Sequence, residues 1–308
     1  MKVLFMGTPE FAAESLNALL LSNHTVVGVI SQPDRALKHG KSELSAVKKL
    51  AIEKGLPIFQ PKRIRDEVER LKEFGADIAV TAAYGQLLSE DVLRAFSRGV
   101  LNVHASLLPK YRGASPIQAA IANGERKTGV TIMRTELGLD TGDMLSTVET
   151  DIGDMETAGE LTERLARLGA ELLVKTLDEL DCITPVKQDD EKATHCRTIT
   201  KAEQHIDFTA EASAVVNRIR SLSPSPCAKT VIGGEIYKIY RARAVGRPES
   251  DKSAAVGEIL QSDDKLVIAC GKGAIEVLTI QAPSKRMLDI SDFLRGKKFE
   301  IGDVCAKP

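Results

Sequence analysis

Apolar residues come in short blocks through the first half of the chain, and their spacing changes from block to block. KVLFM (2–6), TVVGVI (25–30), residues 56–59, DIAVTAAY (77–84) and GVLNVH (99–104) are near-continuous runs of strand length. Between them, FAAESLNALLL after Thr8-Pro9-Glu10, and residues 44–53 and 64–74, space apolar positions as a helix does. Thr8 is the expected N-cap of the first helix, with Pro9 at its first position. Unbroken apolar strands alternating with helices predict a mostly parallel sheet covered on both faces, a doubly wound α/β fold.

The pattern then shifts. Residues 116–122 suit a short helix. TGVTIMR (128–134) and MLSTVET (144–150) alternate more cleanly, which predicts an antiparallel edge. Leu161, Leu165, Leu168, Leu172, Leu173 and Leu177 recur at helical spacing and predict one long helix over about residues 157–180. Residues 181–207 mix charge, proline and threonine without a period and read as a connection. A helix over 206–222 runs into SPSP at 223–226. KTVIG, EIYKIYRARAV, GEILQ, KLVIAC and AIEVLTIQ then predict a small all-β unit, barrel-like with an OB-like arrangement, closed by a helix over 287–295. The expected division is 1–180 for the α/β domain, 181–207 for the connection, and 208–308 for the smaller C-terminal β-barrel (OB-like) domain.

Composition narrows this picture a little. The 308 residues are 43% hydrophobic and 28% charged, an ordinary globular balance, while aromatics at 4% leave the core to aliphatic side chains. No apolar run approaches the roughly 18 residues of a membrane span. The five cysteines form no CxxC pair, and only five histidines accompany them, so no metal is expected and the thiols read as free in a reducing cytoplasm. Cys305 is the one placed where exposure is plausible. Residues 208–308 hold 16 Lys and Arg against 12 Asp and Glu, a mild basic bias that suits a polyanion but is common on inert surfaces.

Candidate chemistry sits mid-chain. Asn102 and His104 stand two residues apart at the end of an apolar run, so a strand presents both on one face. SLLPKYRG (106–113) and LDTGD (139–143) follow. Asn102 can donate to a carbonyl oxygen, His104 can deliver a proton or stabilise an oxyanion, and Asp140 can orient and pair with the imidazole. A buried histidine with a single backbone hydrogen bond is the plainer alternative. Ser106 is not set in a G-x-S-x-G elbow, so direct transfer between two bound substrates fits better than an acyl-enzyme. Leu107, Leu108 and Pro109 suit an apolar wall, and Lys110, Tyr111 and Arg112 suit polar reach toward an anionic or bulky second substrate. GTPEF is neither GxGxxG nor a P-loop, so Gly7 is expected to allow close approach of substrate to backbone, or simply to make a turn.

With these residues in view, the chain resembles the folate-dependent formyltransferase family. Asn102, His104, SLLPKYRG and LDTGD carry the likeness, together with FMGTPEFAAESLNALL, VVGVISQPDR, AYGQLL, RGASPIQAAI, GVTIMRTELGLDTGDML and DFTAEASAVVNRIRSLSPSPCAKT. The resemblance implies 10-formyltetrahydrofolate as formyl donor, with no permanently bound cofactor. It implies initiator methionyl-tRNA as amino acceptor, gripped in part by the C-terminal domain, and a cytoplasmic, membrane-free monomer. It implies Asn102, His104 and Asp140 as catalytic. It places the donor near Ile78, Tyr84, Gly85 and Leu88, near Ser106, Leu107, Leu108 and Pro109, and near Asp140 and Asp143. One stretch departs from the family pattern. ALKHGKSELSAVK (36–48) lacks the prolines of the usual basic loop and is shorter, though Arg35, Lys38, His39, Lys41 and Lys48 keep it positive.

Overall fold

The computed structural model describes residues 1–36, 42–247 and 253–306. Lys38, His39 and Lys41 of the basic loop lie outside the described residues, as does the side chain of Arg35. The first half runs β1 (Lys2–Gly7), α1 (Glu10–Leu20), β2 (Thr25–Ile30), β3 (Arg35–Ala36), β4 (Ser42–Glu43), α2 (Ala46–Glu53), β5 (Ile58–Phe59), α3 (Val68–Glu73), β6 (Ile78–Ala82), α4 (Glu90–Leu93) and β7 (Val100–His104). Then come β8 (Arg112–Gly113), α5 (Pro116–Ala122), β9 (Lys127–Arg134), β10 (Met144–Asp151), α6 (Ala158–Asp178) and β11 (His195–Cys196). The remainder is α7 (Ala212–Ser221), β12 (Ala228–Ile232), β13 (Glu235–Val245), β14 (Ile259–Ser262), β15 (Leu266–Ala269), β16 (Ala274–Gln281), β17 (Met287–Asp289) and α8 (Ile290–Gly296).

The chain divides into two compact units. The first holds Met1–Pro116, Thr128–Thr150 and Thr162–Cys196; the second holds Ile117–Lys127, Asp151–Leu161 and Arg197–Pro308. The seven strands of the main sheet lie in the order β10-β9-β7-β6-β1-β2-β5. β1 pairs in parallel with β2 and β6, β2 with β5, and β6 with β7, while β9 runs antiparallel to β7. This is the doubly wound sheet with an antiparallel edge that the apolar pattern predicts. The order reverses between β1 and β6, so the loops after these strands open the crevice where such sheets bind ligands. Leu4, Met6, Ile30, Ile64, Leu71, Tyr84, Val92 and Phe96 form one buried cluster of this unit.

The second unit is an antiparallel sheet in the order β12-β13-β16-β15-β14, with β17 on β16. It curls as an OB-like half-barrel. Residues 304–306 bridge both edges, pairing Val304 with Glu258 and Ala306 with Val231. Tyr237, Phe293 and Phe299 stack and meet edge-on in its core, the ring centroids 5.2 to 6.2 Å apart.

Several local expectations change. Pro9, not Thr8, occupies the N-cap of α1, without a side-chain cap. Thr8 is engaged elsewhere: its hydroxyl donates to the Tyr84 carbonyl at 3.4 Å and accepts from the Gln32 amide at 3.3 Å, tying the strand-end loops together. The helix predicted over 64–74 is broken into a 3-10 turn, Ile64–Asp66, and α3, because Glu67 between them leaves the helical conformation at φ −121° and ψ 23°. The Ile64 amide, a first-turn donor without an intrahelical partner, bonds to the Gln86 side chain at 2.8 Å. The final helix is shorter, since β17 takes its first residues. Gly7 is required by packing: a Cβ there would lie 2.6 Å from that of Ala12 and 3.0 Å from the Ala82 carbonyl oxygen. α6 begins with a capping box, Thr157 and Glu160 each accepting the other's backbone N–H. Among the described residues no helix is long and apolar enough to cross a membrane.

Candidate active site

β7 presents Asn102 and His104 on one face at the carboxyl edge of the sheet, between β6 and β9. Each side chain is held by a group that leaves it little choice of orientation. The Thr81 hydroxyl, on the paired strand, reaches the Asn102 Oδ1 at 2.9 Å, which turns the amide nitrogen outward. That nitrogen lies 3.5 Å from Asp140 Oδ1. His104 is buried, and its Nε2 lies 2.9 Å from the Tyr111 carbonyl. A carbonyl only accepts, so Nε2 carries a hydrogen and Nδ1 is left for chemistry. Nδ1 faces Asp140 Oδ2 at 3.6 Å.

Asp140 arrives on the loop between β9 and β10 and sits at φ +53°, a left-handed conformation unusual for a residue with a side chain. Its Oδ2 accepts the Gly113 amide at 2.8 Å. Gly113 can offer that amide because it has no Cβ: its φ is +119°, and a Cβ would stand 2.1 Å from the Cys196 carbonyl oxygen. Asn102 and His104 from β7, Asp140 from the β9–β10 loop and Gly113 from β8 thus converge on one small patch, with a carboxylate that accepts from a backbone N–H and an amide side chain and faces an imidazole at 3.6 Å. Such a patch can polarise a carbonyl and move a proton.

The remaining sequence candidates divide. Ser106 is fully buried, and its hydroxyl donates to the Lys110 carbonyl at 2.6 Å, so it shapes the loop rather than acting as a nucleophile. Thr131, opposite His104 on β9, clamps the same loop by accepting from the Leu108 amide at 3.3 Å and donating to the Ser106 carbonyl at 2.8 Å. Leu108 is buried, Leu107 and Pro109 are half-buried, and the Leu108–Pro109 peptide is cis. Gly85 is exposed in the loop after β6, at φ +88°. Asp143 is half-buried and its carbonyl accepts the Arg134 amide.

Four candidates turn their side chains away from the patch. Ile78 is fully buried and opens β6 opposite Val3, about 10 Å down the strand from the Thr81–Asn102 pair. Tyr84 and Leu88 point their side chains into the apolar cluster behind the sheet; burial pushes the Tyr84 hydroxyl well above its usual range, and only its carbonyl serves the crevice. Arg112 does not reach across a cleft. It is buried, with Nε on Gln188 at 3.0 Å and Nη2 on Asp190 at 2.8 Å. Of the polar residues of that loop, Lys110 alone is exposed. Sequence reasoning missed Thr131 and Gln188. A threonine inside a buried apolar run was a usable signal for the first; a glutamine in an aperiodic segment gave none for the second.

The cysteines offer no activated thiol beside this patch. Burial raises the Cys196 thiol and pushes Cys227 and Cys270 up to about 11 and Cys305 up to about 12. Cys305 is buried, against the expectation of exposure; Cys182 is the exposed one.

A formyl transferase family model matches residues 1–177, and a formyl transferase C-terminal domain model matches residues 198–298. The chain belongs to the formyl transferase family. It is 43% identical to a methionyl-tRNA formyltransferase of Clostridium novyi (strain NT), over 99% of both chains. It is 43% identical to that of Solibacter usitatus (strain Ellin6076), over 97% of this chain and 96% of the relative. Among solved structures, an N-formyltransferase from Helicobacter canadensis in complex with folinic acid and dTDP-3-aminofucose shares the fold, with a TM-score of 0.69, 20% identity, and coverage of 92% of this chain and 100% of that one. HypX from Aquifex aeolicus in complex with tetrahydrofolic acid shares it at a TM-score of 0.63 and 14% identity, over 96% of this chain and 47% of that chain.

Proposed function

We propose that this formyl transferase moves the formyl group of 10-formyltetrahydrofolate to the free amino group of initiator methionyl-tRNA, giving N-formylmethionyl-tRNA for translation initiation. Full-length identity to methionyl-tRNA formyltransferases supports the acceptor. Folate-bound neighbours of the same fold support the donor. The observation that carries the chemistry is the convergence of Asn102, His104 and Asp140, with the nearby Ser106 hydroxyl committed to the Lys110 carbonyl.

On this reading the neutral amine attacks the formyl carbon and a C–N bond forms. The carbonyl oxygen gains negative charge, which the Asn102 amide and a protonated His104 stabilise. The amine loses a proton toward Asp140, directly or through water. The bond from the formyl carbon to the folate nitrogen then breaks, and that nitrogen takes a proton, leaving tetrahydrofolate. Because His104 Nε2 is committed to the Tyr111 carbonyl, the Nδ1 side, facing Asp140, is where the reacting proton moves. No covalent carrier holds the formyl group, so alignment of the two substrates supplies much of the rate. The loops carrying Gly85, Ser106, Leu107, Leu108, Pro109 and Asp143 would frame the donor. Residues 1–180 would act as the catalytic domain, 181–207 as the connection and 208–308 as the tRNA-gripping domain of a cytoplasmic monomer.

The test is acceptor choice. Purified protein is given labelled donor with methionyl-tRNA, glycinamide ribonucleotide or a nucleotide amino-sugar, while free formate is quantified. Label is expected on methionyl-tRNA. Label on either small acceptor but not on methionyl-tRNA, or donor loss matched by formate alone, would reject this assignment.

A further inference from the structure

The segment between α6 and α7 reads as a connection, yet residues 186–196 run beside the loop that holds His104. Val186 bridges Met144, the Tyr111 amide donates to Thr194 Oγ1 at 2.8 Å, and β11 pairs in parallel with β8. At the centre of this strap is Gln188, 4% exposed. Its Nε2 donates to the carbonyls of Asp140 at 2.8 Å and Gly142 at 2.7 Å, and its Oε1 accepts from Arg112 Nε at 3.0 Å. The amide cannot be turned over without loss: carbonyls only accept and a guanidinium only donates, so all three bonds fix one orientation.

We propose that Gln188 is a positioning residue for formyl transfer, bolting the Asp140 loop to the Arg112–Gly113 strand so that the Asp140 carboxylate faces Asn102 and His104. Asp140 holds a left-handed backbone, a state that persists only where its surroundings impose it. Both carbonyls that flank the turn, those of Asp140 and Gly142, are gripped by the same side-chain nitrogen. The third bond reaches the residue just before Gly113, whose amide donates to the Asp140 carboxylate. One side chain therefore sets both partners of that hydrogen bond. Arg112 keeps a second anchor in Asp190, so loss of Gln188 frees the Asp140 loop more than it frees the strand.

The inference rests on Asp140 acting in the transfer, and the experiment separates the two claims. Turnover and KM for both substrates are measured for Q188M, Q188E, D140N and the Q188M/D140N double variant, with thermal melts to confirm folding. Q188M keeps the volume and removes all three bonds. Its kcat should fall on the order of 10- to 100-fold, the range expected for a misplaced catalytic group. Both KM values should stay within about threefold, because the loss lies in the transition state. Q188E keeps an acceptor for Arg112 but sets a carboxylate oxygen against two carbonyls, so it should be at least as slow; it carries the test if Q188M does not fold. In the D140N background, Q188M should cost no more than about twofold further, since residues that act as a unit are not additive. Multiplying losses in the double variant, or near-wild-type turnover in Q188M or Q188E, would overturn the positioning role alone. Near-wild-type turnover in D140N would overturn the active-site reading and the role of Gln188 with it.

Discussion

Around β7, Asn102, His104 and Asp140 are held by hydroxyl, carbonyl and amide groups of neighbouring loops and strands. Along β13 the charged groups are held by other charges: Arg243 forks onto Glu276 at 2.9 to 3.0 Å, and Arg241 pairs with Glu160. Backbone dipoles are fixed by the fold and do not exchange with solvent ions, so they keep a catalytic side chain in one place. The Arg241–Glu160 pair is half-exposed on both sides, and such a pair is screened and easily traded for another partner, whereas in the Arg243–Glu276 pair only the arginine is half-exposed and Glu276 is buried. The first arrangement suits chemistry that needs alignment. The second suits a surface that exchanges one anion for another, as a phosphate would require. It also shows why the mild basic excess of residues 208–308 overstates the free positive charge there.

The largest way to break this contrast lies in the β7 patch. H104A and D140N should lower single-turnover formylation by about 10²–10⁴-fold, the usual worth of acid–base groups. Acylated tRNA affinity should change little. Effects below about twofold in both variants would remove the patch from the mechanism. Next, T131V keeps the shape of the residue opposite His104 but releases the 106–108 loop. Stability should drop by about 1–3 kcal/mol in denaturant titration, because a buried amide and carbonyl lose their partner. Turnover should fall with it, while a wild-type rate would show that the loop needs no clamp.

For β13, the expectation is smaller and of another kind. R241A/R243A should weaken tRNA binding without slowing single turnover at saturation. Every phosphate left without its arginine should reduce the salt slope of binding by about 0.7–0.9. An unchanged slope would mean that Glu276 and Glu160 hold these arginines permanently. The smallest effect concerns Glu160. Backbone and hydroxyl bonds from Thr157, with Arg241 beside it, hold its carboxyl below the usual range. The folded value is the lower one, so the stability it brings is present above the unfolded value and is lost as pH falls through the folded one. E160Q should flatten that acid limb of a thermal-melt series by about 0.5 kcal/mol; an identical limb in wild type and variant would show the cap contributes nothing.

How much of this could be read from the chain follows from distance along it. Asn102 and His104 were legible because a strand's two-residue period binds them locally. The doubly wound order and its antiparallel edge were legible because burial on two faces, or one, leaves a pattern in a single strand. Thr8 misled, since an N-cap and a strand-end hydroxyl look alike until the Tyr84 carbonyl is in place. Ile78, Tyr84 and Leu88 lie in or flank the strand and loop that frame the crevice, but their side chains face the core, and sequence proximity does not say which way a side chain points. Arg112 looked available because its partners, Gln188 and Asp190, lie more than seventy residues away.

The three residues that bridge both edges of the C-terminal sheet have a consequence for how copies of the protein treat one another. A bare strand edge is a template for any passing chain. Here the Cys305 amide bonds to the Gly257 carbonyl at 2.8 Å, and the Ala306 and Val231 backbones bond each other at 2.9 and 3.0 Å. One short seam thus covers part of two edges at once. A proline at Cys305 would take away a donor, lift the seam and offer both edges together. Its signature would be light scattering that grows with protein concentration while the β7 chemistry is still intact, and a clear solution at every concentration would show that the edges are guarded by something else.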